Sequence, residues 1–151
     1  MQQLNLPGFD IKTRFDKNQT QVFDTIRKKY VALTPEEWVR QHFINYMVAH
    51  LKYPKGLIAV EHPLFINGVS HRVDIVAFSP DAKPLLIVEC KATNIRIDQS
   101  VVQQVTRYNI FLKAPYLILT NGMVHFCVRV DFKNGLSTPL KTIPYYNEID
   151  V

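Results

Sequence analysis

Three charged residues lie within or beside two strongly apolar runs of this sequence. Asp74 interrupts the run VDIVAF, and Glu89 and Lys91 close the run LLIVECKA. Charged side chains are rarely buried in strands unless they are paired or bind a metal ion. Their placement makes these three residues the first candidates for chemistry.

The alternation of side chains along a strand groups these charges. Glu89 and Lys91 are two residues apart, so both face one side of the strand, about 7 Å from each other. If the two apolar runs pair antiparallel through SPDAKP, a turn centred between positions 81 and 82 places Asp74 opposite Glu89. A bulge in the connection would move this register by a residue or two.

Two carboxylates in this arrangement repel each other unless a cation or a proton lies between them. Carboxylate oxygens, a backbone carbonyl and water suit Mg²⁺, which can polarise a phosphate and stabilise charge on a leaving oxygen. A lysine beside them can orient the attacking water or neutralise charge on the phosphate. The pattern therefore indicates a site for phosphodiester hydrolysis. The alternative is a salt-bridge cluster in which Lys91 only neutralises Glu89 or Asp74.

A helix and a hairpin are predicted before these residues. Thr34-Pro35-Glu36-Glu37 is typical of a helix N-terminus, with threonine as the cap and proline in the first turn, and the helix is predicted to run to about Lys52. Its wide apolar surface predicts that it is largely buried. Asn67-Gly68, between two apolar runs, predicts a tight β-hairpin.

The order of the remaining elements predicts the fold class. Asp98 is predicted to cap a second helix over about 99–113, followed by strands at Pro115–Thr120 and MVHFCVRV. QVFDTI and KKYVAL are predicted to be short strands after an irregular arm of a dozen residues, and the tail after Asp131 is rich in turn residues. The order helix, three strands, helix, two strands predicts an α/β fold with a central mixed sheet flanked by helices. The crossover through the second helix makes LLIVECKA and YLILTN parallel.

Asp74, fourteen intervening residues and then Glu89-Cys90-Lys91 resemble the motif of the PD-(D/E)XK nuclease superfamily, and the element order agrees with its core. More narrowly, TPEEWVRQHFINYMV, RVDIVAF, LLIVECKA and the QxxxY that follows are similar to the N-terminal nuclease domain of type I restriction enzyme R subunits. The resemblance extends from about Gln21 to Val130, and we expect one restriction-endonuclease-like domain over residues 1–151. Val73 stands where the motif has proline. The chain has no room for the ATP-driven translocase of such subunits, so we expect no DNA translocation by this chain.

The resemblance implies roles for individual residues. Asp74, Glu89 and the backbone carbonyl of Cys90 would bind Mg²⁺ or Mn²⁺, and Lys91 would be the catalytic lysine. A glutamate of the first helix often joins the metal ligands in this superfamily, which makes Glu37 a further candidate. Its place as the fourth residue of the Thr34 capping box explains Glu37 equally well without a function.

Five residues are candidates for supporting the site or contacting DNA. Gln104 and Tyr108 lie one helical turn apart and share a face; the resemblance implies that they position DNA or support the metal site, and the alternative is a core tyrosine beside an exposed glutamine. Arg40 is predicted to pair with a glutamate one turn earlier or to contact phosphate. Arg72 and Arg96 flank the acidic residues, and each is either a phosphate contact or solvated.

Composition places bounds on these functions. The 151 residues are 47% hydrophobic, which is enough for the core of one domain. No apolar run approaches the roughly 20 residues of a membrane span, and the N-terminus lacks the features of a signal peptide, so a cytoplasmic location is expected. Cys90 and Cys127 are predicted to be buried free thiols, and no Cys/His spacing matches a zinc site.

The net charge of +5 permits a polyanionic partner without requiring one. The basic residues cluster mildly at Lys12, Arg14 and Lys17 and again at Arg27-Lys28-Lys29, which we interpret as solvated surface. We expect a metal-dependent DNA endonuclease domain with DNA as its partner. A larger restriction or defence complex is a further candidate partner, and a homodimer would allow both strands to be cut. The alternative function is a DNA-binding or assembly module with little or no cleavage.

Overall fold

The computed structural model describes residues 1–149; Asp150 and Val151, the end of the predicted 1–151 domain, lie outside the described residues. A small antiparallel sheet follows the N-terminal arm. Its strands are β1 (Thr13–Asp16), β2 (Gln19–Asp24) and β3 (Lys29–Ala32). β2 and β3 confirm the strands predicted at QVFDTI and KKYVAL. β1 was not predicted because all four of its residues are exposed, so it carries no apolar alternation.

The first helix, α1 (Pro35–Asn45), begins at the predicted cap. The Thr34 hydroxyl accepts the backbone N–H of Glu37 at 3.1 Å, and proline occupies the first helical position. The helix was predicted to continue to about Lys52, but it changes to a single π-helical turn at Tyr46–His50. Lys52 then takes a φ of 65°, a left-handed conformation that ends helical structure.

The central sheet has six strands that are neighbours in the order of the chain. These are β4 (Ile58–Ile66), β5 (Val69–Phe78), β6 (Pro84–Cys90), β7 (Tyr116–Thr120), β8 (His125–Asp131) and β9 (Leu136–Leu140). Only β6 and β7 are parallel, and the second helix, α2 (Gln99–Leu112), connects them as predicted. β9 was not predicted because it is a mostly exposed edge strand that contains Pro139.

The two helices pack on opposite faces of this sheet. Ile75 and Ala77 of β5 belong to the apolar cluster that contains α1, whereas Val76 between them belongs to the cluster that contains α2. The predicted mixed sheet flanked by helices is therefore confirmed. Cys90 and Cys127 are buried free thiols, also as predicted. None of the helices within residues 1–149 is long and apolar enough to cross a membrane.

The pairing of β5 with β6 has the predicted register. Ile75 lies opposite Val88, and Ala77 lies opposite Leu86. The register shifts by one residue only between Ala77 and Phe78, next to the connecting turn. The next residues on the two strands are Asp74 and Glu89, so the sheet brings the two acids to the same level.

Candidate active site

Asp74 lies on β5 with its carboxylate held by two donors from other elements. Its Oδ2 accepts the backbone N–H of Cys90 at 2.7 Å, and its Oδ1 accepts from Arg40 Nη1 of α1 at 3.0 Å. The residue is only 8% exposed. Asp74 is therefore fixed between β6 and α1 rather than free to rotate.

Glu89 is the second-last residue of β6 and is also buried. Its Oε1 lies 3.2 Å from Lys91 Nζ. Its Oε2 is buried and has no hydrogen-bond partner within residues 1–149. A buried carboxylate oxygen without a partner is costly, so this atom marks a place where a cation or a proton is needed.

The two carboxyl groups are electrostatically unfavourable as a pair of anions. Burial raises the pKa of Asp74 above its ordinary value, although the Cys90 N–H and the Arg40 guanidinium oppose this effect. Burial also raises the pKa of Glu89, and the nearby charge of Asp74 raises it further, against the effect of Lys91. The site therefore favours a positive charge or protons between the two acids.

Lys91 connects these acids to α2. Besides Glu89, its Nζ contacts Gln104 Oε1, to which it donates at 3.1 Å, and Gln104 Nε2 in turn donates to the Tyr108 hydroxyl at 3.0 Å. Burial alone would lower the pKa of Lys91, but the Glu89 charge and hydrogen bond raise it, so the lysine is a cation. The glutamine and tyrosine predicted to share a helix face thus form a hydrogen-bonded chain that ends on the lysine.

Glu37 is engaged elsewhere. Its Oε1 accepts from Arg40 Nη2 at 2.8 Å and from Arg27 Nη2 at 2.9 Å, and its Oε2 accepts from Arg40 Nε at 2.8 Å and from Gln41 Nε2 at 3.2 Å. Although burial by itself would raise the pKa of Glu37, these two arginines lower it to about 2. Both oxygens are occupied by guanidinium groups, so we leave Glu37 out of the proposed metal ligands. Only its backbone N–H takes part in the Thr34 cap.

Glu36, which was not among the candidates predicted from the sequence, is the glutamate of α1 that acts on the site. Its charge raises the pKa values of Asp74, Glu89 and Lys91. It is half-buried in the first turn of the helix. Glu36 and Glu37 are adjacent in sequence, but Glu37 is bound by Arg27 and Arg40, whereas the charge of Glu36 acts on the two acids.

The predicted arginines occupy three different environments. Arg40 is buried between Glu37 and Asp74 and supplies the positive charge beside Asp74. Arg72 is exposed, with 68% of its side chain accessible, and lies 3.2 Å from Glu61. Arg96 is exposed in the β6–α2 loop, where its charge acts on Asp98. The structure brings Arg40 to the site, places Arg72 at its edge and leaves Arg96 in solvent.

Glu61 is a second residue that was not predicted from the sequence. It lies in β4 between Val60, which pairs with Ile75, and His62, which pairs with Val73, so it stands level with Asp74. Its φ of 52° is unusual for a non-glycine residue within a strand, and such conformations persist only where the surroundings enforce them.

The carboxylate of Glu61 forms ion pairs with three arginines. Arg72 lies 3.2 Å away, Arg27 3.4 Å and Arg40 3.6 Å. A glutamate within an alternating strand provides no sequence signal for this role, because the partners come from β2–β3, α1 and β5.

The donor set fits a hard divalent cation held in part by water. Within residues 1–149, no group of three or more His, Cys, Asp or Glu side chains is placed to hold a metal ion. Asp74 and Glu89 offer two carboxylates, one of them with the partnerless oxygen. Mg²⁺ is commonly bound by one or two carboxylates while it keeps several waters, so two acids are sufficient for it.

Comparison with known proteins identifies the family. Residues 35–144 match the family described as the N terminus of the type I restriction enzyme R protein. The chain belongs to this family. Among curated proteins, none matches the sequence.

Two solved structures are similar to this member of the R-protein N-terminal family. A fragment from Vibrio vulnificus YJ016, described as an HsdR subunit of a type I restriction enzyme, has a TM-score of 0.56 and 21% identity over 78% of this chain and 24% of that one. The chain thus spans about a quarter of the length of that fragment. A protein from Anabaena variabilis ATCC 29413, described as a nuclease belonging to DUF820, has a TM-score of 0.50 and 11% identity over 97% of this chain and 89% of that one. At these identities the similarity shows the fold.

The family match begins at residue 35, so it includes Asp74, Glu89, Lys91, Gln104 and Tyr108. It leaves out the arm and the β1–β3 sheet. The ion pairs of Arg27 with Glu37 and Glu61 nevertheless join that sheet to the matched part of the chain.

Proposed function

We propose that this chain is a metal-dependent DNA endonuclease domain that hydrolyses phosphodiester bonds. The observation that carries the proposal is the buried pair Asp74 and Glu89 beside Lys91, with Glu89 Oε2 left without a partner. Membership of the R-protein N-terminal family and a nuclease-like fold support the same reaction class. The predicted cytoplasmic location stays a prediction.

In this proposal Asp74, Glu89 and the backbone carbonyl of Cys90 would hold Mg²⁺ or Mn²⁺. Such an ion would polarise the scissile phosphate and stabilise charge on the leaving oxygen. Lys91 would orient the attacking water or neutralise charge on the phosphate. Gln104 would hold the ammonium of Lys91 in place, and Arg40 would hold the carboxylate of Asp74.

The partners follow from the reaction and the family. DNA would be the substrate, and a larger restriction complex would supply the functions of the R protein that lie outside this chain. One site contacts one phosphate at a time, so cutting both strands would require two copies of the domain, as in a homodimer.

A cleavage assay tests the proposal. Purified protein is incubated with supercoiled and linear DNA and with Mg²⁺, Mn²⁺ or EDTA, beside the variants Asp74→Ala and Lys91→Ala. We expect cleavage that depends on the metal and falls at least 100-fold in both variants, since each removes a group that acts on the reacting phosphate. Lys133→Ala, a change of an exposed lysine in the β8–β9 turn, is the matched control and should retain full activity. Cleavage that persists in EDTA or in Lys91→Ala would contradict the proposal.

One observation favours the second candidate, a nuclease fold that binds DNA or a partner without cutting. Both oxygens of Asp74 already accept hydrogen bonds from the protein, so a cation would have to compete with Arg40 for Oδ1. A calorimetric titration of the protein with Mn²⁺ distinguishes the two candidate functions. Binding that is lost in Asp74→Ala supports the enzyme, whereas DNA binding without Mn²⁺ binding or cleavage supports the module.

A further inference from the structure

The segment 12–29 carries most of the net positive charge of the chain. It contains six Lys or Arg residues and two Asp residues, a net charge of +4 out of the total of +5. The segment forms β1, β2 and the β2–β3 turn, and it precedes the part of the chain that matches the family. From the sequence alone, its basic residues were interpreted as solvated surface.

The β2–β3 turn is built around a fully buried aspartate. Asp24 Oδ1 accepts the backbone N–H groups of Ile26 and Arg27 at 2.7 and 2.9 Å, and Asp24 Oδ2 accepts from Arg27 Nε at 2.6 Å. Lys28 donates its N–H to the Asp24 carbonyl at 2.8 Å and takes a φ of 55°. These bonds fix the backbone that presents the following two lysines.

Lys28 and Lys29 point into solvent from this fixed turn. Both are exposed, and neither forms a salt bridge with another residue in the range 1–149. The two negative charges of the segment do not neutralise them: Asp24 is bound to Arg27, and Asp16 lies 3.5 Å from Arg14. The pair is thus an exposed and uncompensated charge of +2.

A continuous series of ion pairs joins this turn to the candidate active site. Arg27 contacts Glu37 at 2.9 Å and Glu61 at 3.4 Å. Glu61 contacts the exposed Arg72 at 3.2 Å, and Arg40 links Glu37 to Asp74 through contacts of 2.8 and 3.0 Å. The lysines therefore lie on a turn whose Arg27 shares Glu61 with Arg72 and shares Glu37 with Arg40, the partner of Asp74.

We propose that Lys28, Lys29 and Arg72 form a basic strip that binds backbone phosphates of double-stranded DNA next to the phosphate being cut. The inference rests on the proposed function, since it takes DNA as the substrate. Phosphate contacts of this kind set the register of a protein on the duplex without reading its sequence. Arg72, two residues before Asp74 on the same strand, faces the same side of β5 as the acid, so the strip begins at the site itself.

The salt dependence of DNA binding tests the strip. All proteins carry Lys91→Ala so that the DNA is not cut, and the dissociation constant for a labelled duplex is measured by fluorescence anisotropy in Ca²⁺ from 50 to 200 mM salt. In the variant Lys28→Gln/Lys29→Gln we expect weaker binding and a salt slope that is less steep by about 2, close to 0.9 for each lost phosphate contact. Arg72→Gln should reduce the slope by about 1.

The control is Lys133→Gln/Lys141→Gln, which removes the same charge from exposed positions at the far edge of the sheet, beside β9. Its slope should equal that of the parent. Equal slopes in the two double variants would overturn the strip, and so would a parent that binds no DNA. Loss of slope in the Lys28/Lys29 variant while the chain with Lys91 intact cuts no DNA would support the strip and refute only the proposed cleavage. Apart from the shared Lys91→Ala, the variants alter only exposed side chains, and thermal midpoints equal to that of the Lys91→Ala parent confirm that they are folded.

Discussion

At the scale of single residues, the candidate site is defined by a carboxylate with too few partners. Glu89 is buried beside Asp74, and one of its oxygens has no hydrogen bond within residues 1–149. Lys91 pairs with Glu89, but Arg40, which pairs with Asp74, is shared with Glu37 and Glu61, so the two acids are only partly compensated. The remaining deficit is what a divalent cation would supply, and without one the acids hold protons more tightly than usual.

The raised pKa values predict how the stability of the metal-free protein depends on pH. Between the ordinary carboxyl pKa of about 4 and the raised values of Asp74 and Glu89, the folded state binds more protons than the unfolded state, so the free energy of unfolding falls as the pH rises. We expect Glu89→Gln to remove much of this decrease, about 1.4 kcal/mol for each unit by which the Glu89 pKa is raised.

Urea unfolding of the wild type and Glu89→Gln in EDTA at pH 5 and pH 8 measures this effect. The difference between the two proteins cancels the contributions of His42 and other groups that titrate equally in both. The variant should gain stability relative to the wild type at pH 8. A difference that is the same at both pH values would show that Glu89 titrates normally.

At the scale of elements, the register of two strands and the rotation of one helix assemble the site. The β5–β6 pairing brings Asp74 level with Glu89, and α2 brings Gln104 to Lys91. On α1, the charge of Glu36 acts on the two acids, whereas Glu37 is bound by Arg27 and Arg40. The Arg27–Glu37 pair connects the β2–β3 turn to α1, and the Arg40–Asp74 pair connects α1 to β5.

Neutralising Glu37 should therefore destabilise the junction of these elements. Glu37→Gln leaves two guanidinium groups without full compensation in a buried place, and we expect a loss of about 3 kcal/mol in the free energy of unfolding at pH 7. Because the pKa of Glu37 is lowered to about 2, its stabilisation is present above the ordinary pKa and is lost as the pH falls toward 2. Urea unfolding measures both effects.

Glu36→Gln is the matched control for Glu37→Gln, one residue earlier in the same helical turn. Its side chain is only half-buried, and it should change stability by less than about 1 kcal/mol. Similar losses in the two variants would mean that the Glu37 network does not stabilise the fold as described.

At the scale of the whole molecule, the N-terminal arm packs against residues that are distant in the sequence, in α1 and in the β7–β8 turn. Leu4 is buried in the cluster that contains α1 and packs on Gly122 in the β7–β8 turn. The Asn5 N–H donates to the Gly122 carbonyl at 2.8 Å, and Trp38 Nε1 donates to the Gln2 carbonyl at 2.8 Å. The arm lacks regular structure, as predicted, but it is part of the core.

Gly122 is required at this contact for two separable reasons. Its φ is 85°, and a Cβ at this position would lie 2.9 Å from a Leu4 methyl group. Gly68 has a similar φ of 78°, but a Cβ added there would meet no atom within 4 Å. We expect Gly122→Ala to be more destabilising than Gly68→Ala by about 1–2 kcal/mol, the cost of overpacking, because only the first change displaces the arm.

Thermal or urea unfolding of the two alanine variants provides the test. In a Leu4→Ala background the extra cost of Gly122→Ala should fall, since both Leu4 methyl groups are gone and only Val39 Cγ2, at 3.1 Å, still lies close to the added Cβ. An extra cost that is undiminished without Leu4 would place its origin in the backbone of the turn or in the contact with Val39 rather than in the arm.

The sequence by itself determined the hairpin at Asn67-Gly68, the cap of α1, the parallel pairing across α2 and the register that aligns Asp74 with Glu89. These features depend on local periodicity and on short connections, which a sequence displays directly. Only the tertiary structure decided that Glu37 is bound by Arg27 and Arg40 while the charge of Glu36 acts on the acids, that Glu61 pairs with three arginines and that Arg27 anchors a basic turn. Those contacts join residues from separate elements, and their geometry depends on how the sheet and helices pack rather than on any neighbouring residue in the chain.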